Sequence, residues 1–189
     1  MALISTRTII TSLCFFHITL GFYFLTNPST IADQGLVFIL GGSMGMPSDR
    51  SFESRSAPLA FVAALLIFMG ISDLMTLSMP EEISLLYYWG TQAPLRLSIA
   101  LGFVFYTLIA GPSSPLYREG SMRDAVRSHN PHYTPSAWGG DGWKNSVFFT
   151  FMFVEMVSWF WAWVTLREER TEVVKKSLKQ SNSSLRNMD

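Results

Sequence analysis

Glu155 is the residue whose surroundings most restrict what this chain can do. It is the sole charge in the twenty residues from Val147 to Leu166. An ionisable group at the centre of a bilayer costs about 2.5–3.5 kcal/mol on insertion scales, so it calls for a partner or a task. Trp159 and Trp163 follow Glu155 at successive four-residue steps, which puts all three on one helix face. His17 sits at the middle of another apolar run and lies at the same depth by counting. A Glu155–His17 hydrogen bond would satisfy both groups and act as interhelical glue. Held instead as a neutral acid beside an open pocket, Glu155 could donate a proton or face a bound amine. His17, Glu155, Trp159 and Trp163 would then line a site for an amphipathic lipid or sterol.

A second pair stands nearer a membrane surface. Asp73 lies four residues from the end of one apolar run, and Arg96 opens the next. Antiparallel neighbours place both at one face, as an ion pair or as an anion or headgroup site built on Arg96. His129 and His132, three apart among polar residues, are too few for a zinc site. Cys14 is the single cysteine and reads as a small packing residue. No nucleophile elbow, phosphate loop, zinc-protease helix or dinucleotide fingerprint appears. No catalytic residue, cofactor or metal is therefore expected.

The elements that must position these residues are four apolar runs, at about 8–25, 57–77, 94–110 and 147–166. Each approaches the roughly 20 residues that cross a hydrocarbon core about 30 Å thick. Only 15% of the 189 residues are charged and 49% are hydrophobic. Soluble domains carry about 25% charged residues, so the chain falls in the membrane class. The first run follows Arg7 and is compatible with a signal peptide, but its length and its Phe22-Tyr23-Phe24 end favour a retained helix.

Between the runs, Asn27-Pro28-Ser29 stops the first helix, and Ile31 to Leu40 is too short to span. Residues 44–56 read as a solvated loop, and Met79 to Trp89 as the start of a short helix. Residues 111–146 form a long polar loop in which Met122 to Ser128 could make one or two helical turns. Trp159, Trp161 and Trp163 are expected at the lipid–water boundary. Thr171 to Gln180 prolongs the last helix, and Ser181 to Asp189, which contains an Asn182-Ser183-Ser184 sequon, reads as a frayed tail. The expected fold is all-α: one four-transmembrane-helix membrane bundle with both termini, including the 171–189 tail, on the cytosolic side by the placement of Lys and Arg.

Three segments taken together carry a family likeness. They are Gly70-Ile71-Ser72-Asp73-Leu74, Ala93-Pro94-Leu95-Arg96-Leu97, and Asn145-Ser146-Val147-Phe148 through Glu155 to Leu166-Arg167-Glu168-Glu169-Arg170. The chain resembles the fungal "increased loss of mitochondrial DNA" protein family, although its 111–144 loop is longer than that pattern and its tail shorter. The resemblance implies a small multi-pass protein of the endoplasmic reticulum membrane, linked indirectly to mitochondrial genome maintenance and without an established catalytic activity. Contact with nucleic acid is not expected, because net charge is zero and there is no basic patch interleaved with aromatics. The expected partners are membrane lipids and other endoplasmic reticulum membrane proteins. The resulting expectation is a non-enzymatic membrane protein acting through partner binding or lipid homeostasis. The alternative is a lipid- or sterol-binding or -modifying bundle with an acid-containing intramembrane pocket, similar in outline to the sterol isomerase and sigma-2 receptor group. Four short runs without an inverted repeat argue against a transporter.

Overall fold

The computed structural model describes residues 4–80, 83–109 and 142–186, and among these every regular element is helical. The long helices are α1 (Thr6–Thr26), α4 (Ala57–Thr76), α5 (Trp89–Ile109) and α6 (Ser146–Arg186), with short α2 (Ser29–Ala32) and α3 (Gly35–Ser43) between the first two. Four segments are long and apolar enough to cross a membrane: Thr6–Thr26, Ala57–Thr76, Ile83–Ile109 and Ser146–Glu172. Lipid offers no water to exposed backbone groups, so helices that satisfy their own N–H and C=O are the solution such a sequence has.

Helix starts are set by capping oxygens. Ser5 Oγ accepts from the Thr8 N–H, Ser56 Oγ from the Leu59 N–H, and Asn145 Oδ1 from the Phe148 N–H. Pro58 occupies the first turn of α4, where a missing N–H has no intrahelical partner to lose. At the end of α1, the Asn27 N–H bonds back to the Tyr23 carbonyl before Pro28 turns the chain into α2.

Three expectations shift. The third apolar helix begins well before Pro94: a π-helical turn, Ile83–Tyr88, runs straight into α5, which passes through Pro94. Proline in a helix interior removes one backbone bond, but inside a bundle neighbouring groups and a locally widened turn accommodate the loss. Residues 44–56 are only partly solvated, because Met46 is buried beside Val104 and Phe149 and Phe52 packs on Phe24. The last helix continues to Arg186, through most of the segment read as frayed. The possible turns at Met122–Ser128, the His129/His132 pair and most of the polar loop lie outside the described residues.

α1 and α4 are packed antiparallel along a seam of small residues. A Cβ at Gly21 would lie 2.8 Å from the Ala63 carbonyl oxygen and 2.6 Å from Ile67 Cγ1. One at Gly70 would lie 2.8 Å from the Cys14 carbonyl oxygen and 2.8 Å from Ile18 Cγ1. The pairing is reciprocal, since Cys14 and Gly21 are seven residues apart on one helix and Ala63 and Gly70 seven apart on the other. Within lipid, where burial of apolar surface drives helices together only weakly, such close approach supplies the packing.

The charged stop after the fourth apolar run has a structural role. The Thr6 N–H, one of the orphan donors at the start of α1, bonds to Glu169 Oε1 at 2.9 Å. This joins the beginning of α1 to the end of the apolar part of α6 and puts both at one face of the bundle. A carboxylate at a helix N-terminus is worth about 0.3–1 kcal/mol. Glu169→Ala should therefore weaken the bundle by up to about 1 kcal/mol. Amide hydrogen exchange should quicken over residues 6–10, while Glu168→Ala, at an exposed neighbour, leaves it unchanged. Equal exchange in both variants would remove the cap from the account.

Candidate functional site

Two of the groups singled out by depth face each other across the bundle. His17, in the middle of α1, and Glu155, in α6, are both buried, with His17 Nε2 2.7 Å from Glu155 Oε1. The second carboxyl oxygen is also occupied: Trp159 Nε1–H, one turn along α6, donates to Oε2 at 2.7 Å. Indole is only a donor, so Oε2 accepts. The bond between Oε1 and Nε2 then needs a single proton between the two groups. Phe16 and Phe151 flank the imidazole at 5.9 and 6.2 Å between ring centroids. Gly70 lets α4 approach the Cys14 carbonyl and the His17 Cβ, so the small-residue seam sets the position of the ring.

Toward the Thr6 face, Asp73 near the end of α4 binds Arg96 of α5 through both oxygens. Arg96 Nη1 donates to Oδ2 at 2.5 Å and Nη2 to Oδ1 at 2.8 Å. This fork-to-fork geometry is the strong form of an Arg–carboxylate pair. Asp73 is buried and Arg96 partly so.

Trp159 joins the two pairs. Its ring lies 4.9 Å from Arg96 Cζ, and Trp89 lies 5.5 Å from the same atom. The two indoles stack on each other with centroids 5.7 Å apart and planes 21° from parallel. Guanidinium over an indole face gains about 0.5–2 kcal/mol, more as water is excluded. The result is one continuous chain of contacts through all four long helices: His17, Glu155, Trp159, Arg96 with Trp89, then Asp73.

Trp159 is thus not a boundary residue, contrary to expectation. It is 1% exposed, whereas Trp161 is 56% exposed on the opposite face. Alternation in sequence puts neighbouring tryptophans on different sides of a helix. Trp163 is half-buried against the core, with Arg167 Cζ 5.3 Å from its ring, and belongs to the end of the bundle rather than to the Glu155 cluster. Trp89 was not singled out in the sequence. Its place seven residues before Arg96, two helical turns on the same face, is the signal that points to it.

No open space separates Glu155 from its partners. A cavity of about 350 Å³ does exist, between α1, the α2–α3 pair and the first half of α6. Its walls include Leu20, Phe24, Val37, Val147, Phe151 and Val154, and none of His17, Glu155, Trp159 or Trp163 lines it. Among the described residues no group of three His, Cys, Asp or Glu is placed to hold a metal.

Four apolar helices knitted by a buried polar chain define a multi-pass helical membrane protein. The family model described as "increased loss of mitochondrial DNA protein 1" matches residues 4–176. The chain belongs to that family, and the match takes in the first helix and the long polar loop as well as the segments that carry the likeness. No curated protein and no solved structure matches the chain.

Proposed function

We propose that this is a non-enzymatic multi-pass protein of the endoplasmic reticulum membrane, with both termini in the cytosol. In this reading it supports mitochondrial DNA maintenance indirectly, through binding other membrane proteins of that compartment or through lipid homeostasis, and it contacts no nucleic acid. The observation that carries the non-enzymatic reading is the closure of Glu155. Both carboxyl oxygens are engaged by side chains of the same chain, His17 and Trp159, and none of the three lines the cavity between α1, α3 and α6. An acid so enclosed has no face to offer a substrate, whereas it ties α1 to α6. The link to the mitochondrial genome rests on the family description. The indirect route is supported by the balanced charge and the absence of a basic aromatic patch.

The test compares a deletion strain with strains carrying wild type, Glu155→Gln or Glu155→Leu, scoring whole-cell lipids and retention of the mitochondrial genome. A glutamine fits the observed geometry: its oxygen accepts from Trp159 and its amide donates to His17 Nε2. Leucine leaves both ring nitrogens unpaired and costs about 1–2 kcal/mol, the upper range for hydrogen bonds inside membranes. Rescue by glutamine with loss of function in leucine supports a structural acid. A stably expressed glutamine variant that reproduces one specific lipid defect of the deletion would mean that the acid performs chemistry, and the proposal would fall.

A further inference from the structure

The cavity between α1, the α2–α3 pair and α6 is separate from the polar chain and has a chemistry of its own. Two of its walls, α1 and α6, belong to helices long enough to span, so they stand at hydrocarbon depth. The third wall, α3, has nine residues and is too short to cross. Its outward residues Leu36, Phe38 and Ile39 are strongly exposed, Phe38 at 81%, as suits a helix lying against lipid. Leu36 and Tyr23 border the cavity and are exposed themselves, so it opens toward the bilayer. Water is a poor occupant, since it needs two to four polar partners and most of the lining is hydrocarbon. What fills such a space enters from the membrane.

The cavity also has a polar end. Thr30 and Gln34 border it where α1 has given way to α2, and the Gln34 amide is already bonded to the Thr30 carbonyl. Thr26, two residues past the wall residue Phe24, accepts from Arg55 Nε at 2.8 Å. This bond fixes the exposed Arg55 guanidinium at the end of α1, just beyond the residues that line the cavity, and Arg55 forms no ion pair among the described residues. An apolar slot that opens to lipid, with a guanidinium free of any carboxylate among the described residues just beyond its polar end, complements a lipid bearing both a hydrocarbon chain and a phosphate.

We propose that this cavity binds one acyl chain of a membrane glycerophospholipid, with the phosphate held at Arg55. The inference deepens the lipid branch of the proposed function and rests on the same placement in a membrane. At about 350 Å³ the space is within the range of small-molecule pockets and suits one chain rather than a whole diacyl lipid.

The experiment uses the purified full chain in detergent with trace phosphatidylcholine carrying a diazirine in the middle of one acyl chain. Crosslinks are mapped by peptide mass spectrometry. Labelling is expected on Val147–Val154 and Thr19–Phe24, well above labelling of the outward Phe61–Phe68 stretch of α4, which reports annular lipid. Excess unlabelled phosphatidylcholine should compete, and palmitate or sterol should not. Filling the cavity with Val154→Phe should lower cavity labelling by about tenfold. Thr19→Trp, at the exposed edge, serves where Val154→Phe does not elute as a folded species. Arg55→Gln should lower labelling several-fold.

Equal labelling of the α4 face would mean annular lipid only and would overturn the proposal. So would undiminished labelling in a folded, cavity-filled variant, or competition by palmitate or sterol as effective as by phosphatidylcholine. Mitochondrial genome retention is not read in this experiment, so the lipid site and the proposed cellular role can fail separately.

Discussion

Asp73→Ala is expected to be among the most damaging single substitutions in the bundle, lowering stability by about 3 kcal/mol. The reasoning starts from what the change leaves behind. Arg96 would keep its charge, because a guanidinium does not release its proton under any ordinary condition. Its fork would then face no acceptor in a site where Asp73 is 4% exposed and Arg96 only 21%. Breaking one side of a buried ion pair costs about 3–5 kcal/mol, and the partial exposure of Arg96 puts this case at the low end.

The contrast with Glu155→Leu is instructive. There the abandoned partners are ring nitrogens of His17 and Trp159 rather than a guanidinium, so the cost is that of unpaired hydrogen bonds. The measurement is a double-mutant cycle on detergent-solubilised protein with Asp73→Ala, Arg96→Met and both together, read by reversible denaturation. The double variant should be less damaged than the sum of the singles by more than about 1 kcal/mol, the mark of a direct pair. Additive losses would show that the two residues are merely near each other. Arg96→Lys is expected to fall between wild type and Arg96→Met, since an ammonium keeps the charge but neither the two-point bond nor the planar stack on Trp89 and Trp159.

Much of this architecture is readable from residue types because membrane insertion makes charge costly. Runs of about twenty residues with almost no charge leave little choice but helices. Charges inside those runs must then be matched by depth, and of the alternatives this leaves open the structure has Glu155 bonded to His17 and Asp73 to Arg96. Depth is one coordinate, however, and helix rotation is another that the apolar pattern hardly constrains when every face is hydrophobic. The placement of Trp159 between the two pairs depends on that rotation, and so does the difference between buried Trp159 and exposed Trp161. The start of α5 departs from the apolar pattern for another reason. The rule that proline ends helices is weaker within a bundle, where Pro94 sits well inside one. Glu169 was hidden because a charged cluster after an apolar run reads as a stop, and nothing in its type says that it reaches the first N–H of a helix 163 residues away.

The α1–α4 seam gives the second large effect. Glycine costs about 1 kcal/mol relative to alanine inside a helix, so on propensity alone Gly→Ala should stabilise α4 and α5 alike. At Gly102 of α5 nothing among the described residues lies within 4 Å of the added methyl, and Gly102→Ala is expected to be neutral or stabilising by up to about 1 kcal/mol. At Gly70 the added carbon would meet the Cys14 carbonyl oxygen and Ile18 Cγ1 at 2.8 Å, with His17 Cβ at 3.3 Å. A backbone carbonyl cannot turn aside as a side-chain end can, so α1 has to move. Overpacking of this kind costs about 1–3 kcal/mol, which reverses the sign set by propensity. Gly70→Leu should exceed that range. Because the displaced segment carries His17, the motion also lengthens the 2.7 Å bond to Glu155. Gly70→Leu and Glu155→Leu should therefore combine to less than the sum of their separate losses. The check is a set of thermal and denaturant melts on the five proteins: wild type, the three single variants and the Gly70→Leu/Glu155→Leu double. If Gly70→Leu melts with wild type, the helices do not approach as described. If its loss simply adds to that of Glu155→Leu, the seam and the buried acid act on separate parts of the bundle.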